Sequence, residues 1–363
     1  MDWFDTHKRD LPWRTENPRD PYKVWVSEIM LQQTRVEAVK SYYTNWIEHF
    51  PDIPTLAAAE EEDVIRQWQG LGYYSRARNL HTAVREVMET YGGTVPETRE
   101  EIRRLKGIGD YTAGAILSMA YGKRETAVDG NVLRVFARIY NIEENILSAK
   151  VKKEITALVR VRQDAARPGD FNEALMDLGA TVCIPGQPRC DVCPLSTVCK
   201  AKAAGKEAEI PLRVTKKEVP VEPVTVFVVR GGELYLLHRR SSKGLLAGMW
   251  EFPNCVGEGR QGKEALSEKL AALGVWVEEV SGPVKQIRHM FSHKVWQMSV
   301  YKACVEEGVA AGTVLLSGWR WVPVTELAEY NLAGPHNRIL HEMLKFGSIN
   351  QNQDISSANV LDS

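Results

Sequence analysis

A short loop carrying Cys183, Cys190, Cys193 and Cys199 constrains this chain more than any other feature. The spacing is C-x6-C-x2-C-x5-C, and a loop that gathers four thiolates is built around a metal centre. A disulfide framework would spread its cysteines through a small domain, whereas this chain has 363 residues and only Cys255 and Cys304 lie elsewhere. Structural zinc favours two facing C-x2-C pairs, and here only Cys190 and Cys193 are that close. An iron–sulfur cube tolerates uneven gaps because each corner iron takes one thiolate. The spacing therefore favours a cluster over zinc. Pro185, Gly186, Pro188 and Pro194 shape the loop around the thiols.

The length suggests two domains, and a hydrophobic content of 44% suffices for a sizeable core. No apolar run is long enough to span a membrane, and Met1-Asp2-Trp3-Phe4-Asp5 is neither a signal nor a transit peptide. The expectation is a soluble protein in a reducing, cytoplasmic setting, with no membrane partner. A formal net charge of −1 gives no global signal for nucleic acid, but clustering counts for more than the sum. Lys200, Lys202, Lys206, Arg213, Lys216 and Lys217 form one basic cluster beside the cysteine loop.

The pattern changes near residue 210. Before it, apolar residues recur at helical spacing over 24–39, 61–69, 75–91, 99–105, 112–121, 132–139 and 171–181. Residues 211–223 read as a linker. Beyond it, strands are expected at 225–229, 234–238, 297–303 and 319–322, with helices at 263–272 and 337–344. These make an α+β module over 224–346, followed by a polar tail, 347–363, that is expected to be disordered.

The segment Leu105-Lys106-Gly107-Ile108-Gly109-Asp110-Tyr111-Thr112-Ala113 sits between two helical runs. Gly107 and Gly109 permit a tight turn and a close backbone approach, and the free N–H groups of a helix starting near Asp110 point at that turn. Such a hairpin suits a DNA phosphate, although a plain helix–helix corner would explain the turn as well. Val128-Asp129-Gly130-Asn131-Val132 follows, and then the cysteine loop. In this order the three segments resemble the endonuclease III superfamily of helix-hairpin-helix DNA glycosylases. The resemblance covers residues 1–210. It implies an all-α domain in two lobes, a helical barrel over about 21–127 and a cluster lobe from 1–20 plus 128–210. It also implies a [4Fe-4S] cluster on Cys183, Cys190, Cys193 and Cys199, and double-stranded DNA in the cleft between the lobes, with Gly107 and Gly109 at a phosphate.

Within that superfamily, three segments resemble the adenine DNA glycosylases of the MutY type. They are Ser27-Glu28-Ile29-Met30-Leu31-Gln32-Gln33-Thr34, Leu11-Pro12-Trp13-Arg14 and Gly72-Tyr73-Tyr74-Ser75-Arg76-Ala77-Arg78. Bifunctional relatives carry an attacking lysine where this chain has Tyr111, which implies the monofunctional branch. The chemistry asks for two carboxylates in different roles. Adenine leaves once a ring nitrogen is protonated, and a carboxyl kept neutral in an apolar pocket can supply the proton. Glu28, flanked by Trp25, Val26, Ile29 and Met30, is the candidate. The oxocarbenium-like sugar then needs a negative neighbour, for which Asp129 is the candidate. The resemblance adds Tyr111 at the sugar, and Glu173, Arg14 and Trp13 around adenine. It places Gln33, Thr34, Leu71 and Tyr73 where a base is flipped out and a wedge fills the gap. Read singly, Glu28 would be a solvated helix residue, Asp129 an N-cap and Tyr73 a packing aromatic; the order of the motifs assigns them otherwise.

Residues 224–346 resemble the Nudix fold. Ala271 and Ala272 stand where a Nudix hydrolase needs paired glutamates for magnesium, so the fold is expected without that activity. Phe291-Ser292-His293 resembles the loop with which MutY-type enzymes read 8-oxoguanine, whose added carbonyl and N–H a hydroxyl and an imidazole can distinguish. The expected whole is an all-α glycosylase domain followed by an α+β Nudix-like domain. It would be a monomeric, nucleoid-associated enzyme acting on adenine opposite 8-oxoguanine or guanine in DNA. The rival readings are a bifunctional glycosylase for oxidised pyrimidines, a nucleotide pyrophosphohydrolase and a non-catalytic DNA-binding module.

Overall fold

In the computed structural model the chain folds as two compact units, Met1–Lys216 and Lys217–Ser363. The structure describes residues 1–353 apart from 17, 215–218, 292 and 307–314, and only the backbone of 344–353.

The first unit is helical. Its elements are α1 (Asp2–His7), α2 (Pro21–Leu31), α3 (Val36–His49), α4 (Ile53–Ala58), α5 (Glu61–Gln67), α6 (Ser75–Tyr91), α7 (Arg99–Ile102), α8 (Asp110–Met119), α9 (Gly130–Tyr140), α10 (Ala149–Arg162), α11 (Pro168–Thr181) and α12 (Lys200–Ala203). The single helical run expected over 24–39 is two helices. Gln33 takes φ 59°, a left-handed backbone that ends α2 and re-aims the chain into α3. The expected runs also omit α10, whose buried Val151, Ile155 and Val159 recur at every fourth position. Lysines and arginines on its other faces mask that stripe.

Helix α2 is buried along most of its length and packs on α8, which in turn packs on α11. Trp25 and Trp46 are fully buried, as expected of core residues. Trp3 is only half-buried and stacks on His7, ring centroids 5.5 Å apart. Gly114 on α8 lies so close to the following segment that a Cβ there would stand 2.0 Å from the Thr126 carbonyl oxygen. That approach seats the segment leading to Asp129 against the helix that carries Tyr111.

Among its described residues the second unit is a seven-stranded sheet with two α-helices and a short 3-10 helix. Its strands are β1 (Val221–Gly231), β2 (Leu234–Arg239), β3 (Trp250–Glu251), β4 (Asn254–Val256), β5 (Glu279–Met290), β6 (Val295–Cys304) and β7 (Trp319–Pro323). The order is β3-β2-β1-β6-β5, with β4 pairing to β1 and β7 to β2. The central pair, β1 and β6, is parallel, from Val221 opposite Val295 to Arg230 opposite Cys304. Alternate residues of β1 face opposite sides. Val224, Val226 and Val228 share a core with Ile339 and Leu340 of α14 (Gly334–Gln353). Phe227 and Val229 pack with Leu266 and Leu270 of α13 (Gly259–Ala271).

Three expectations differ here. β1 starts at Val221, inside the stretch 211–223 expected to be a linker. β5 was not expected because its residues are mostly exposed on both faces, so an edge strand leaves no apolar alternation to read. The tail expected from 347 is helical through Gln353, since one glycine costs a helix only about 1 kcal/mol and does not end it; residues 354–363 lie outside the described residues. Among the described residues no helix is long and apolar enough to cross a membrane.

Candidate active site

Trp13, Arg14, Glu28, Gln33, Thr34, Gly107, Gly109, Tyr111, Asp129 and Glu173 all line one cleft of about 960 Å³ in the first unit. Two of the expected residues do not line it. Leu71 is buried, and Tyr73 is 45% exposed.

Glu28 is not the solvated helix residue its type suggests: it is 4% exposed, on the inner face of α2. Burial pushes its pKa up to about 7, working against the hydrogen bond it accepts from Tyr111. The charges of Glu173 and Asp129 push the same way as burial. The Tyr111 hydroxyl donates to Glu28 Oε2 at 2.5 Å and lies 3.8 Å from Met176 Sδ. Burial, and then Glu28 itself, hold the Tyr111 phenol well above its ordinary range, so it stays a donor.

Asp129 is the N-cap of α9: Val132 N–H donates to Oδ1 at 2.7 Å. Asn131 Nδ2 donates to Oδ2 at 2.8 Å. Burial raises the Asp129 pKa and outweighs these two bonds, which lower it. The N-cap reading and the cleft reading both hold, because the carboxylate that caps the helix also faces the cleft. Asn131 continues the chain: its Oδ1 accepts from Arg134 Nη2 at 2.8 Å, and Arg134 Nε donates to the Cys183 carbonyl at 2.8 Å. The cleft carboxylate and the cysteine loop are thus joined by hydrogen bonds.

Glu173 is buried with both oxygens engaged, by Arg14 Nε at 2.8 Å and Arg19 Nη2 at 2.6 Å. Arg14 also forks onto Asp177, at 2.7 and 3.1 Å, and Arg9 reaches the same carboxylate at 2.7 Å. Asp177, Arg9 and Arg19 were missed in the sequence. A signal existed: Glu173 and Asp177 are four apart on α11, and Arg9, Arg14 and Arg19 recur every fifth position in the N-terminal segment. Burial would raise the Asp177 pKa, but Arg14 and Arg9 outweigh it and the net shift is downward. The carboxylate therefore contributes stability at neutral pH that is lost as pH falls through its depressed folded value. Asp177→Ala leaves two arginines facing an empty buried site, and we expect a loss of about 3–5 kcal/mol in urea unfolding at pH 7. A loss below about 1 kcal/mol would show that the N-terminal segment is held by other contacts.

At the hairpin only Gly107 needs to be glycine. It sits at φ 85°, and a Cβ would meet Asn79 Cβ at 2.9 Å. Gly109 has ordinary extended backbone, φ −93°, which corrects the expectation that both glycines make the turn. A Cβ at Gly109 would meet nothing within 4 Å, and no side chain caps α8 there, so open space lies before that helix N-terminus.

Gln33 and Tyr73, the residues expected to act as wedges, both have left-handed backbones, φ 59° and 48°. Elsewhere among the described non-glycine residues only Asn141 and Leu246 do so.

The four loop cysteines are free thiols lining one small cavity with Arg138. Arg138 is buried and its Nη1 donates to Cys183 Sγ at 3.3 Å. Among the described residues no three His, Cys, Asp or Glu side chains converge on a single metal ion. A four-iron cluster does not ask for that, since each thiolate meets its own iron.

In the second unit, Phe291 is half-buried and packs edge-on against His289 and Trp296, at 4.6 and 5.0 Å. His293 is exposed, with its ring 6.4 Å from Phe291, and Ser292 lies outside the described residues. Ala271 is the last residue of α13 and Ala272 its C-cap.

Residues 26–160 match the HhH-GPD superfamily of base excision DNA repair proteins, and residues 224–342 match the NUDIX domain. The adenine DNA glycosylase of Rattus norvegicus is 37% identical over 89% of this chain and 72% of its own length. The chain belongs to the adenine DNA glycosylase family. The family member from Homo sapiens is 36% identical over 90% of this chain and 70% of its own length. This chain is a base-excision-repair enzyme, a hydrolase of N-glycosyl bonds. Its helical unit resembles a thermostable thymine-DNA glycosylase, at 29% identity and a TM-score of 0.51, over 56% of this chain and 93% of that one.

Proposed function

We propose that this glycosylase removes adenine paired with 8-oxoguanine, or with guanine, from duplex DNA, and that Glu28 is the acid. The observation that carries the reading is a buried Glu28, with a pKa of about 7, bonded to Tyr111 in the same cleft as Asp129. Tyr111 occupies Oε2, which leaves Oε1 to carry the proton toward the base. Glu28 gives that proton to a ring nitrogen of the flipped adenine, and the electron pair of the N-glycosyl bond leaves with the base. The Asp129 carboxylate faces the positive charge that develops on the sugar. Water then adds to the sugar carbon, and its surplus proton returns to the Glu28 carboxylate. Trp13 supplies an apolar wall and the Arg14–Glu173 pair a polar edge for the base. Gln33 and Tyr73 fill the gap left in the duplex, with Thr34 and Leu71 beneath them.

The donor set of four soft thiolates in one cavity, with an N–H aimed at Cys183 Sγ, fits a [4Fe-4S] cluster. Bound there, the cluster would tie the loop into a fixed shape. Exposed Arg189, Lys200 and Lys202 on and beside that loop would then meet DNA phosphates.

Single-turnover reactions on duplexes carrying adenine opposite 8-oxoguanine, guanine or thymine test the reading. Alkali-dependent breaks at adenine opposite 8-oxoguanine and guanine, and none opposite thymine, are the expected result. Equal cleavage of all three would refute the substrate, and strand breaks without alkali would refute the monofunctional chemistry. In the second unit, replacing Ser292 and His293 together by alanine is expected to shrink the 8-oxoguanine over guanine preference about tenfold, a loss of about 1.4 kcal/mol of discrimination. An unchanged ratio would leave that loop without a part in recognition.

A further inference from the structure

Arg76, near the start of α6, is 9% exposed, and among the described residues no carboxylate pairs with it. An unpaired buried cation is costly and persists only where hydrogen bonds satisfy it. Its Nη1 donates to the carbonyls of Ile29 at 2.8 Å, Met30 at 2.9 Å and Gln32 at 2.5 Å. Its Nη2 donates to Thr34 Oγ1 at 3.2 Å and to the carbonyls of Leu71 at 3.2 Å and Gly72 at 3.1 Å. The first four acceptors belong to the end of α2 and the loop after it, where a helix leaves carbonyls without partners. The last two belong to a different loop. The guanidinium also lies 5.5 Å from the centroid of the Tyr73 ring and 5.3 Å from that of Trp68.

The bonded atoms bracket the two wedge residues. Gln32 and Thr34 flank Gln33, and Gly72 precedes Tyr73. Both wedges sit in left-handed backbone, a conformation that is strained for a non-glycine residue and must be held by its surroundings. One guanidinium thus holds both strained turns.

We infer that Arg76 is a positioning residue that locks the Gln33 and Tyr73 loops into one unit, so that both side chains enter the duplex together and drive extrusion of the target base. This rests on the wedge role proposed above for those two residues. Only a planar fork reaches both loops at once. Lysine at this position keeps the charge but offers a single point of donation.

The test uses the full-length protein as Arg76→Lys and Arg76→Met. Extrusion is read by stopped-flow fluorescence of 2-aminopurine placed at the target position opposite 8-oxoguanine, and base removal by single turnover on the adenine duplex. Both variants are expected to slow extrusion by about tenfold or more. Base removal should then lose its dependence on pH, because the limiting step no longer involves the Glu28 proton. General structural damage would lower the rate and leave the pH profile in place. Extrusion within twofold of wild type in either variant would overturn the inference, as would slower removal with an unaltered profile.

A second measurement keeps Arg76 intact, in case its variants do not fold. Gln33→Ala and Tyr73→Ala, if the loops act as one unit, should cost together little more than the worse of the two alone, and independent multiplicative effects would count against the clamp. Wild-type protein that extrudes 2-aminopurine but leaves adenine in place would contradict the proposed function without touching the role of Arg76.

Discussion

Glu28→Gln is expected to lower single-turnover adenine release by about 10²–10⁴-fold, the range a general acid contributes. The amide keeps the shape of the side chain and can still accept the Tyr111 hydroxyl bond, now 2.5 Å long. It removes the proton that the leaving base needs. Binding of duplex DNA should stay within a few-fold of wild type, since Glu28 lies buried in the cleft wall and meets no phosphate in the proposed mode. The substitution should also not weaken the fold. Glu28 has its pKa raised from 4.5 to about 7 in the folded chain, so ionisation opposes folding. Stability from the neutral group is fully present below the unfolded value and is lost as pH rises through about 7. A neutral amide escapes that loss, and thermal melting at pH 8 should show the variant no less stable than wild type. Equal losses of binding and release would remove Glu28 from the acid role.

The second large effect is expected at Asp129, where two functions share one side chain. As N-cap of α9 it accepts from Val132 N–H at 2.7 Å, and as a cleft carboxylate it opposes the sugar cation. Asparagine caps a helix about as well as aspartate does, so Asp129→Asn separates the roles. One bond changes, because Asn131 Nδ2 would now face another amide, and the cost to stability should be about 1 kcal/mol. Single-turnover release, by contrast, should fall by about 10²–10³-fold, the scale of losing one well-placed electrostatic partner of a transition state. Near-normal turnover from this variant would assign Asp129 to the helix cap alone.

What could be read from the sequence was chemistry written in linear order. The hairpin, Asp129 and the spaced cysteines follow one another along the chain, and their order carried the superfamily, while the change of pattern near residue 210 carried the two-part fold. Glu28 could be singled out because residues 27–34 resemble the adenine DNA glycosylases; read singly it would pass for a solvated helix residue. What could not be read depends on contacts between distant segments. The Arg9–Arg14–Arg19 contacts to Glu173 and Asp177 bridge more than 150 positions, and nothing local marks Asp177 as buried. Arg76 stood inside a quoted motif, but its work is on carbonyls more than 40 positions upstream, and carbonyls are invisible in a sequence. The break at Gln33 is hidden for a different reason. A left-handed glutamine has no propensity signal, and only the arginine that holds the turn explains it. Strand β5 lacked alternation because its faces are mostly exposed.

The central claim is that a neutral Glu28 drives departure of the base. The most direct measurement is the pH profile of single-turnover adenine release from an adenine:8-oxoguanine duplex at saturating wild-type enzyme. The account predicts a rate that is level in mild acid, bends near pH 7 and falls about tenfold per unit above it as Glu28 ionises. A rate that stays flat or rises from pH 6 to 9 would contradict it.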